Sequence, residues 1–154
     1  MKSRFKEAYM KTAKTFAELS YATRAQVGAI IVKDNRIISI GYNGMPSGWD
    51  NECEYYDPNT IEDWMNPSDY EIYCKKITKD EVLHAETNAI AKVAQSSESC
   101  KDAVMFTTHM PCINCAKLIH QSGITAVYYA DDYDSNVGSG KQFLLDSNVE
   151  LEQV

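Results

Sequence analysis

Two short motifs combine metal-binding and acid–base side chains. The first contains His84 and Glu86, and the second contains Cys112 and Cys115 in a Cys-x-x-Cys spacing. Imidazole and thiolate are ligands that zinc prefers in proteins, and two cysteines on the first turn of a helix can face one point. A set of three protein ligands leaves the fourth tetrahedral position open, as in catalytic zinc sites. The motifs therefore predict a zinc site on His84, Cys112 and Cys115 that activates water.

Glu86 has the position expected of a general base beside that site. Two thiolate ligands cancel the charge of the zinc ion, so that bound water is acidified less than with three histidine ligands, and a nearby base becomes more valuable. Glu86 follows His84 by two positions, so its side chain leaves the helix in a different direction from the side chain of His84. It can therefore take a proton from water without binding the metal.

Other interpretations of these motifs remain open at this point. Cys53 or Cys74 could supply a fourth ligand, which would make a closed structural site or a zinc-stabilised binding module without catalysis. The Cys112–Cys115 pair could instead be a thioredoxin-like redox pair, although His84 and Glu86 would then have no role. His109 and His120 are not expected to bind the metal, and Cys100 is expected to be a free thiol.

Alternating helix and strand patterns surround the motifs. The spacing of apolar residues predicts helices near 2–20, 84–94, 112–121 and 141–146, and strands at 26–32, 36–40, 103–108, 124–130 and 149–151. Asp34 and Asn35 predict a hairpin turn between the first two strands. A hairpin followed by βαβ units indicates an α/β fold with a mixed five-stranded sheet and helices on both faces.

Residues 45–83 interrupt this pattern. Prolines, glycine and two tryptophans, Trp49 and Trp64, break up the stretch, and its periodicity is weak. We expect either an irregular functional insertion or a surface insertion with one short helix near 68–76. Because we find no linker or repeat, we predict a single domain over 1–154.

Composition limits the partners. The chain has 154 residues, with 22 acidic and 15 basic side chains and a net charge of −7. A surface of this charge repels phosphate backbones, so we expect no nucleic-acid polymer as partner. No apolar run is long enough to span a membrane, and no apolar segment follows the basic N-terminus. With an odd number of cysteines, this predicts a cytoplasmic protein without membrane association.

The chain resembles the cytidine/deoxycytidylate deaminase superfamily. The resemblance spans about 21–153 and is carried by the segments 24–32, 40–48, 84–90 and 108–119. The Gly-Tyr-Asn-Gly-x-Pro sequence at 41–46 is most similar to the branch that acts on deoxycytidylate (dCMP). The branch that acts on tRNA usually has Glu where this chain has Met110.

The resemblance implies a fold, an activity and a set of site residues. The fold would be a three-layer α/β/α domain, and the reaction would be zinc-dependent deamination of dCMP to dUMP and ammonia, with one zinc ion per chain and Glu86 as the proton relay. Other substrates, such as dCTP, cytidine or another nucleoside, remain open. Substrate contacts would come from Asn43, Arg24, Ala85 and Tyr133. From the residues alone, Asn43 could equally be a turn residue in the left-handed conformation, Arg24 a solvated surface residue, and Tyr129, beside Tyr133, a core residue.

Members of the dCMP branch also suggest regulation. They are commonly homohexamers. They are activated by dCTP with Mg²⁺ and inhibited by dTTP. The implied effector contacts are Gly41, Tyr42 and Gly44, where glycine lets a backbone approach phosphates closely. The acidic and aromatic residues of 45–83 would then face a partner chain and help to hold the Mg²⁺ ion.

Overall fold

The structure, a computed structural model, describes residues 1–132 and 139–154. The strands are β1 (Gly28–Lys33), β2 (Arg36–Tyr42), β3 (Glu54–Tyr56), β4 (Lys76–Thr78), β5 (Val104–His109), β6 (Ala126–Asp131) and β7 (Glu150–Gln153). The α-helices are α1 (Ser3–Ala17), α2 (Tyr70–Tyr73), α3 (Ala85–Ala94), α4 (Ile113–Gln121) and α5 (Lys141–Asp146).

The main sheet has five strands in the order β2-β1-β5-β6-β7. Asp34 and Asn35 have φ of 49° and 58°, which is the geometry of the tight turn that suits the twist of an antiparallel hairpin. Strand β1 is antiparallel to β2 and β5, whereas β5, β6 and β7 are parallel, with α4 and α5 as crossovers. The mixed five-stranded sheet predicted from the sequence is confirmed.

Helices cover both faces of this sheet. Helix α1 packs Met10 and Ala13 against Ile30 and Phe106 on one face. The other face carries α3, α4 and α5, whose apolar residues pack on a second core that includes Met105. The structure therefore has the predicted three layers. Burial of each large apolar side chain contributes about 1.5–3 kcal/mol.

The insertion is more ordered than the sequence predicts. Strands β3 and β4 pair antiparallel, with Glu54 opposite Thr78, and α2 lies between them in the chain. The expected short helix near 68–76 is present as α2, which follows a 3₁₀ turn at Pro67–Asp69. The description of the stretch as irregular is wrong for β3 and β4. Strands of three residues are too short to show a two-residue alternation in the sequence.

Over the described residues, no helix combines the length and apolar character needed to cross a membrane.

Gly41 marks a close contact between β2 and α3. A Cβ atom at this position would lie 2.0 Å from the carbonyl oxygen of Ala85 and 2.7 Å from the backbone nitrogen of Ala89. We predict that Gly41→Ala lowers the free energy of unfolding by at least about 2 kcal/mol, because the backbones must separate. Urea denaturation measures this change.

Gly44→Ala is the matched control for that variant. A Cβ atom at Gly44 would have nothing within 4 Å. The expected change in unfolding free energy is therefore below about 0.5 kcal/mol. An equal loss of stability in both variants would contradict the packing role of Gly41.

Candidate active site

His84, Cys112 and Cys115 meet at the start of two helices. The Nδ1 atom of His84 lies 3.2 Å from the sulfur of Cys115 and 3.6 Å from the sulfur of Cys112. All three potential ligand atoms lie within 4.8 Å of one another. His84 precedes α3 and Cys112 precedes α4, while Cys115 lies in the first turn of α4.

Local backbone geometry leaves these side chains available as ligands. The sequence predicts His84 and Cys112 as the first residues of helices, whereas both are N-cap residues with extended backbone, at φ/ψ of −78°/151° and −67°/167°. Neither side chain caps its helix. Cys115 follows Cys112 by three positions, which brings both sulfurs to one side. The positive ends of the helix dipoles also favour thiolates here.

The protonation of the cluster fits a divalent cation. A hydrogen bond with Cys115 lowers the pKa of Cys112 to about 4, so this sulfur is a thiolate at neutral pH. Its hydrogen bond to Cys112 and its burial both raise the pKa of Cys115. A second thiolate therefore requires a cation between the sulfurs. One imidazole nitrogen and two sulfurs, with a fourth tetrahedral position open, fit Zn²⁺.

Neither of the other two candidate cysteine ligands belongs to this cluster. Cys53 is buried against Ala22 and Val82, and the Cys74 thiol donates to the carbonyl oxygen of Thr60. Within 1–132 and 139–154, His84, Cys112 and Cys115 are the only group of three or more potential ligands close enough to hold a metal. The described residues therefore provide neither a closed four-ligand site nor a second zinc site.

Glu86 lies beside the cluster in the first turn of α3. Its side chain is only 4% exposed. Burial is the main cause that raises the pKa of this carboxyl group, and hydrogen bonds with its own backbone and with Cys115 act in the opposite direction. A carboxyl group with a raised pKa can both accept and return a proton near neutral pH.

A cavity of about 150 Å³ opens beside these residues. The predicted site residues Arg24, Asn43, Ala85, Glu86 and His84 all line it. Its other walls come from residues that the sequence analysis did not assign to the substrate: Ala25, Val27, Glu54, Thr78, Val82, His109, Met110 and Cys112. The cavity therefore joins the end of the main sheet to the β3–β4 hairpin.

Asn43 holds the loop that precedes β1. Its side-chain Oδ1 accepts from the backbone N–H of Val27, and its Nδ2 donates to the carbonyl oxygen of Ala25, both at 2.8 Å. Asn43 is not among the described residues with positive φ, so the interpretation as a left-handed turn residue is wrong. Its amide fixes one wall of the cavity.

Arg24 is linked to both strands of the insertion. Its backbone N–H donates to Glu54 at 3.2 Å, and its Nη1 donates to the hydroxyl of Thr78 at 3.0 Å. The sequence analysis missed Glu54 and Thr78 because the hairpin that carries them was not predicted. An acidic residue followed by two tyrosines and a Lys-Ile-Thr run are the only signals, and neither identifies a partner across the chain.

His109 ends β5 and is not part of the cluster of His84, Cys112 and Cys115. Its Nδ1 lies 3.0 Å from the hydroxyl oxygen of Thr108, which also accepts from the backbone N–H of Gly28. Burial lowers the pKa of His109, so the imidazole is neutral at physiological pH. No sequence signal distinguishes this histidine from the exposed His120.

The remaining predicted residues have different surroundings. Helix α3 fills the space where a side chain at Gly41 would lie, so the missing side chain serves the packing of α3 on β2, and the effector contact expected at Gly41 stays a prediction. Gly44 exchanges backbone hydrogen bonds with Leu83, and the ring of Tyr42 lies 5.6 Å from the ammonium of Lys92. Tyr129 is buried in β6 and does not line the described cavity. Tyr133 lies outside the described residues.

Sequence comparisons identify relatives of this chain. The family model for the cytidine and deoxycytidylate deaminase zinc-binding region matches residues 3–131. Deoxycytidylate deaminase of Enterobacteria phage T2 is 35% identical, over 84% of this chain and 81% of that protein. Deoxycytidylate deaminase of Homo sapiens is 34% identical, over 90% of this chain and 72% of that protein.

Solved structures share the fold. The dCMP deaminase of cyanophage S-TIM5, in complex with dCMP and dUMP, has a TM-score of 0.84 and 41% identity, and the match covers 100% of this chain and 99% of that chain. A tRNA:A34 deaminase structure has a TM-score of 0.59 at 21% identity and covers 99% of this chain and 100% of that chain. At this identity, the tRNA:A34 deaminase structure shows only that the two chains share a fold.

Proposed function

Because the chain belongs to the cytidine and deoxycytidylate deaminase family, we propose that it converts dCMP and water to dUMP and ammonia with a zinc ion held by His84, Cys112 and Cys115. The observation that carries this proposal is the cluster of one imidazole nitrogen and two sulfurs within 4.8 Å, next to a cavity that contains Glu86. The similar cyanophage enzyme, which was solved with dCMP and dUMP, supports the choice of substrate.

The proposed mechanism assigns the proton transfers to Glu86. A zinc ion held by His84, Cys112 and Cys115 would lower the pKa of water and so supply a nucleophile near neutral pH. Glu86 accepts one proton as the water oxygen attacks C4 of the cytosine, and delivers it to ring N3. It then carries the second proton of the water to the amino group. The C4–N4 bond breaks, ammonia leaves and the C4 carbonyl forms.

Residues around the cavity would orient the nucleotide. The backbone N–H of Ala85 is one of the first four amides of α3, which have no partner within the helix and are available to a carbonyl of the base. Asn43 would contact the sugar through the second lone pair of its Oδ1 and the second N–H of its Nδ2, which do not bind the 25–27 loop. The guanidinium of Arg24 would bind the 5′-phosphate. Tyr133 stays a predicted substrate contact.

A substrate panel tests this function. Ammonia release should be measured with dCMP, dCTP, deoxycytidine, cytidine and single-stranded DNA, with the zinc content of the same sample. We expect dCMP to have the highest kcat/KM at about one zinc ion per chain. A higher kcat/KM for dCTP would favour the triphosphate as substrate. A zinc-loaded protein that releases ammonia from none of them would be the binding module.

We also propose that the chain forms a homo-oligomer, a hexamer as in the dCMP branch, regulated by nucleotides. Trp49, Trp64, Ile72 and Tyr73 are exposed on the insertion and suit contacts with a partner chain. The effector would lie beside Tyr42 and Gly44, where Lys92 is the nearby cation and nothing stands within 4 Å above the glycine. No group of three or more acidic ligands occurs among the described residues, so acidic side chains of the insertion would share the Mg²⁺ ion with the effector's phosphates.

Regulation predicts a specific kinetic pattern. The rate should be sigmoidal in dCMP alone, hyperbolic with dCTP and Mg²⁺, and inhibited by dTTP, because each effector prefers one conformer with a coupling of about 1–3 kcal/mol. Steady-state kinetics and light scattering measure these properties. A monomer with hyperbolic kinetics that neither nucleotide changes would contradict regulation and leave the zinc chemistry intact.

A further inference from the structure

We infer that the β3–β4 hairpin sets the preference for a phosphorylated substrate, because Glu54 and Thr78 hold Arg24 in the conformation that binds phosphate. The inference rests on the role proposed above for Arg24. Glu54 and Thr78 would be positioning residues, since they act through Arg24 and not on the reacting atoms.

Glu54 fixes the backbone of the loop that carries Arg24. Its carboxylate accepts from the backbone N–H of Thr23 at 3.0 and 3.2 Å, from the Thr23 hydroxyl at 3.2 Å and from the backbone N–H of Arg24 at 3.2 Å. Hydrogen bonds to a charged acceptor are stronger than those between neutral groups. One carboxylate therefore binds two consecutive residues of the loop to β3.

Thr78 contacts the guanidinium group of the same arginine. Its hydroxyl oxygen accepts from Nη1 of Arg24 at 3.0 Å. Glu54 and Thr78 are directly opposite each other in the β3–β4 pairing. The two side chains that contact Arg24 thus come from one residue pair of the hairpin, and all three residues line the cavity.

This arrangement preserves the charge of Arg24 for an anion. In the part of the chain that the structure describes, the guanidinium makes no salt bridge: the carboxylate of Glu54 is bonded at the backbone and the side-chain partner is a neutral hydroxyl. The neighbouring lysines on the hairpin segment differ, since Lys76 pairs with Glu71 at 2.8 Å and Lys79 lies 3.7 Å from Asp50. An arginine that is already held in place loses less conformational freedom on binding phosphate than a freely rotating arginine does, and without a counterion it has no ion pair to break.

Thr78→Val and Thr78→Ser separate this role from a general effect on stability. Valine keeps the shape and removes the hydroxyl, while serine keeps the hydroxyl. We expect Thr78→Val to lower kcat/KM for dCMP roughly tenfold, mainly through KM, and to change kcat/KM for deoxycytidine less than about twofold. Thr78→Ser should stay near wild type.

Thr60→Val is the matched control. The hydroxyl of Thr60 also makes two hydrogen bonds within the insertion, to the carbonyl oxygen of Asp57 at 2.7 Å and from the N–H of Lys75 at 3.1 Å, but it does not line the cavity. We expect any loss of insertion stability in Thr60→Val to leave the dCMP-to-deoxycytidine ratio unchanged. Thermal unfolding of each variant should be measured beside the kinetics.

A double-mutant cycle with Arg24→Gln gives the decisive result. Arg24→Gln should lower kcat/KM for dCMP roughly a hundredfold, and adding Thr78→Val should then have an effect below about twofold, because Thr78 acts only through Arg24. Additive effects, or equal losses with both substrates, would overturn the inference and leave the proposed function standing. A zinc-loaded wild type that does not turn over dCMP would overturn the proposed function itself.

Discussion

Replacement of Glu86 by glutamine is expected to lower kcat for dCMP by a factor of about 10²–10⁴ without loss of zinc or of folded structure. Glutamine has nearly the same shape but cannot accept a proton from water. Because burial raises the pKa of Glu86, its charged form is disfavoured in the folded protein, and a neutral amide should not lower the stability. Single-turnover kinetics, zinc analysis and thermal unfolding measure the three quantities.

Glu7→Gln is the control for this variant, because Glu7 is exposed on α1, on the opposite face of the sheet. It should leave kcat unchanged. If zinc-loaded Glu86→Gln turned over dCMP at a rate comparable to wild type, the proton relay would have to be another group.

Cys115→Ser should remove both zinc and activity. Serine is a poor zinc ligand at neutral pH, and the remaining imidazole and thiol provide only two of the three donors. We expect zinc to fall from about one ion per chain to near zero, and kcat/KM to fall at least about 10³-fold, with lower thermal stability because metal binding is coupled to folding. Elemental analysis of the purified protein measures the zinc.

Cys74→Ser is the matched control. Cys74 is half-buried in the insertion and outside the metal cluster, so its replacement should leave zinc and activity unchanged. Retention of zinc by Cys115→Ser, or loss of zinc from Cys74→Ser, would contradict the ligand set. Two zinc ions per wild-type chain would reveal a further site.

Local sequence patterns predicted the parts of the fold that depend on near neighbours. The turn at Asp34 and Asn35 follows from side chains that tolerate positive φ, and the βαβ units follow from apolar runs separated by helical periodicity. The boundaries of α3 and α4 were one residue off for a physical reason. His84 and Cys112 have extended backbone, and the residue that precedes a helix cannot be distinguished by apolar spacing from the first residue within it.

The candidate site was predicted only where its residues lie close together in the sequence. The His-x-Glu and Cys-x-x-Cys spacings are local, so three metal ligands and Glu86 could be assigned from the sequence. The contacts of Arg24 with Glu54 and Thr78 join residues 30 and 54 positions apart, and no local pattern encodes them. Gly41 has a packing role of the same kind, since its missing side chain lets β2 lie close to α3, and no local pattern encodes that contact.

Deamination of dCMP in water enriched in oxygen-18 tests the central claim most directly. Hydrolysis at C4 places one water oxygen in the new carbonyl group, so zinc-loaded wild-type protein should yield dUMP that carries one oxygen-18 atom, with one ammonia released per dUMP. Mass spectrometry of the product and an ammonia assay measure both. Absence of dUMP from zinc-loaded protein, or dUMP with unlabelled oxygen at C4, would contradict the account.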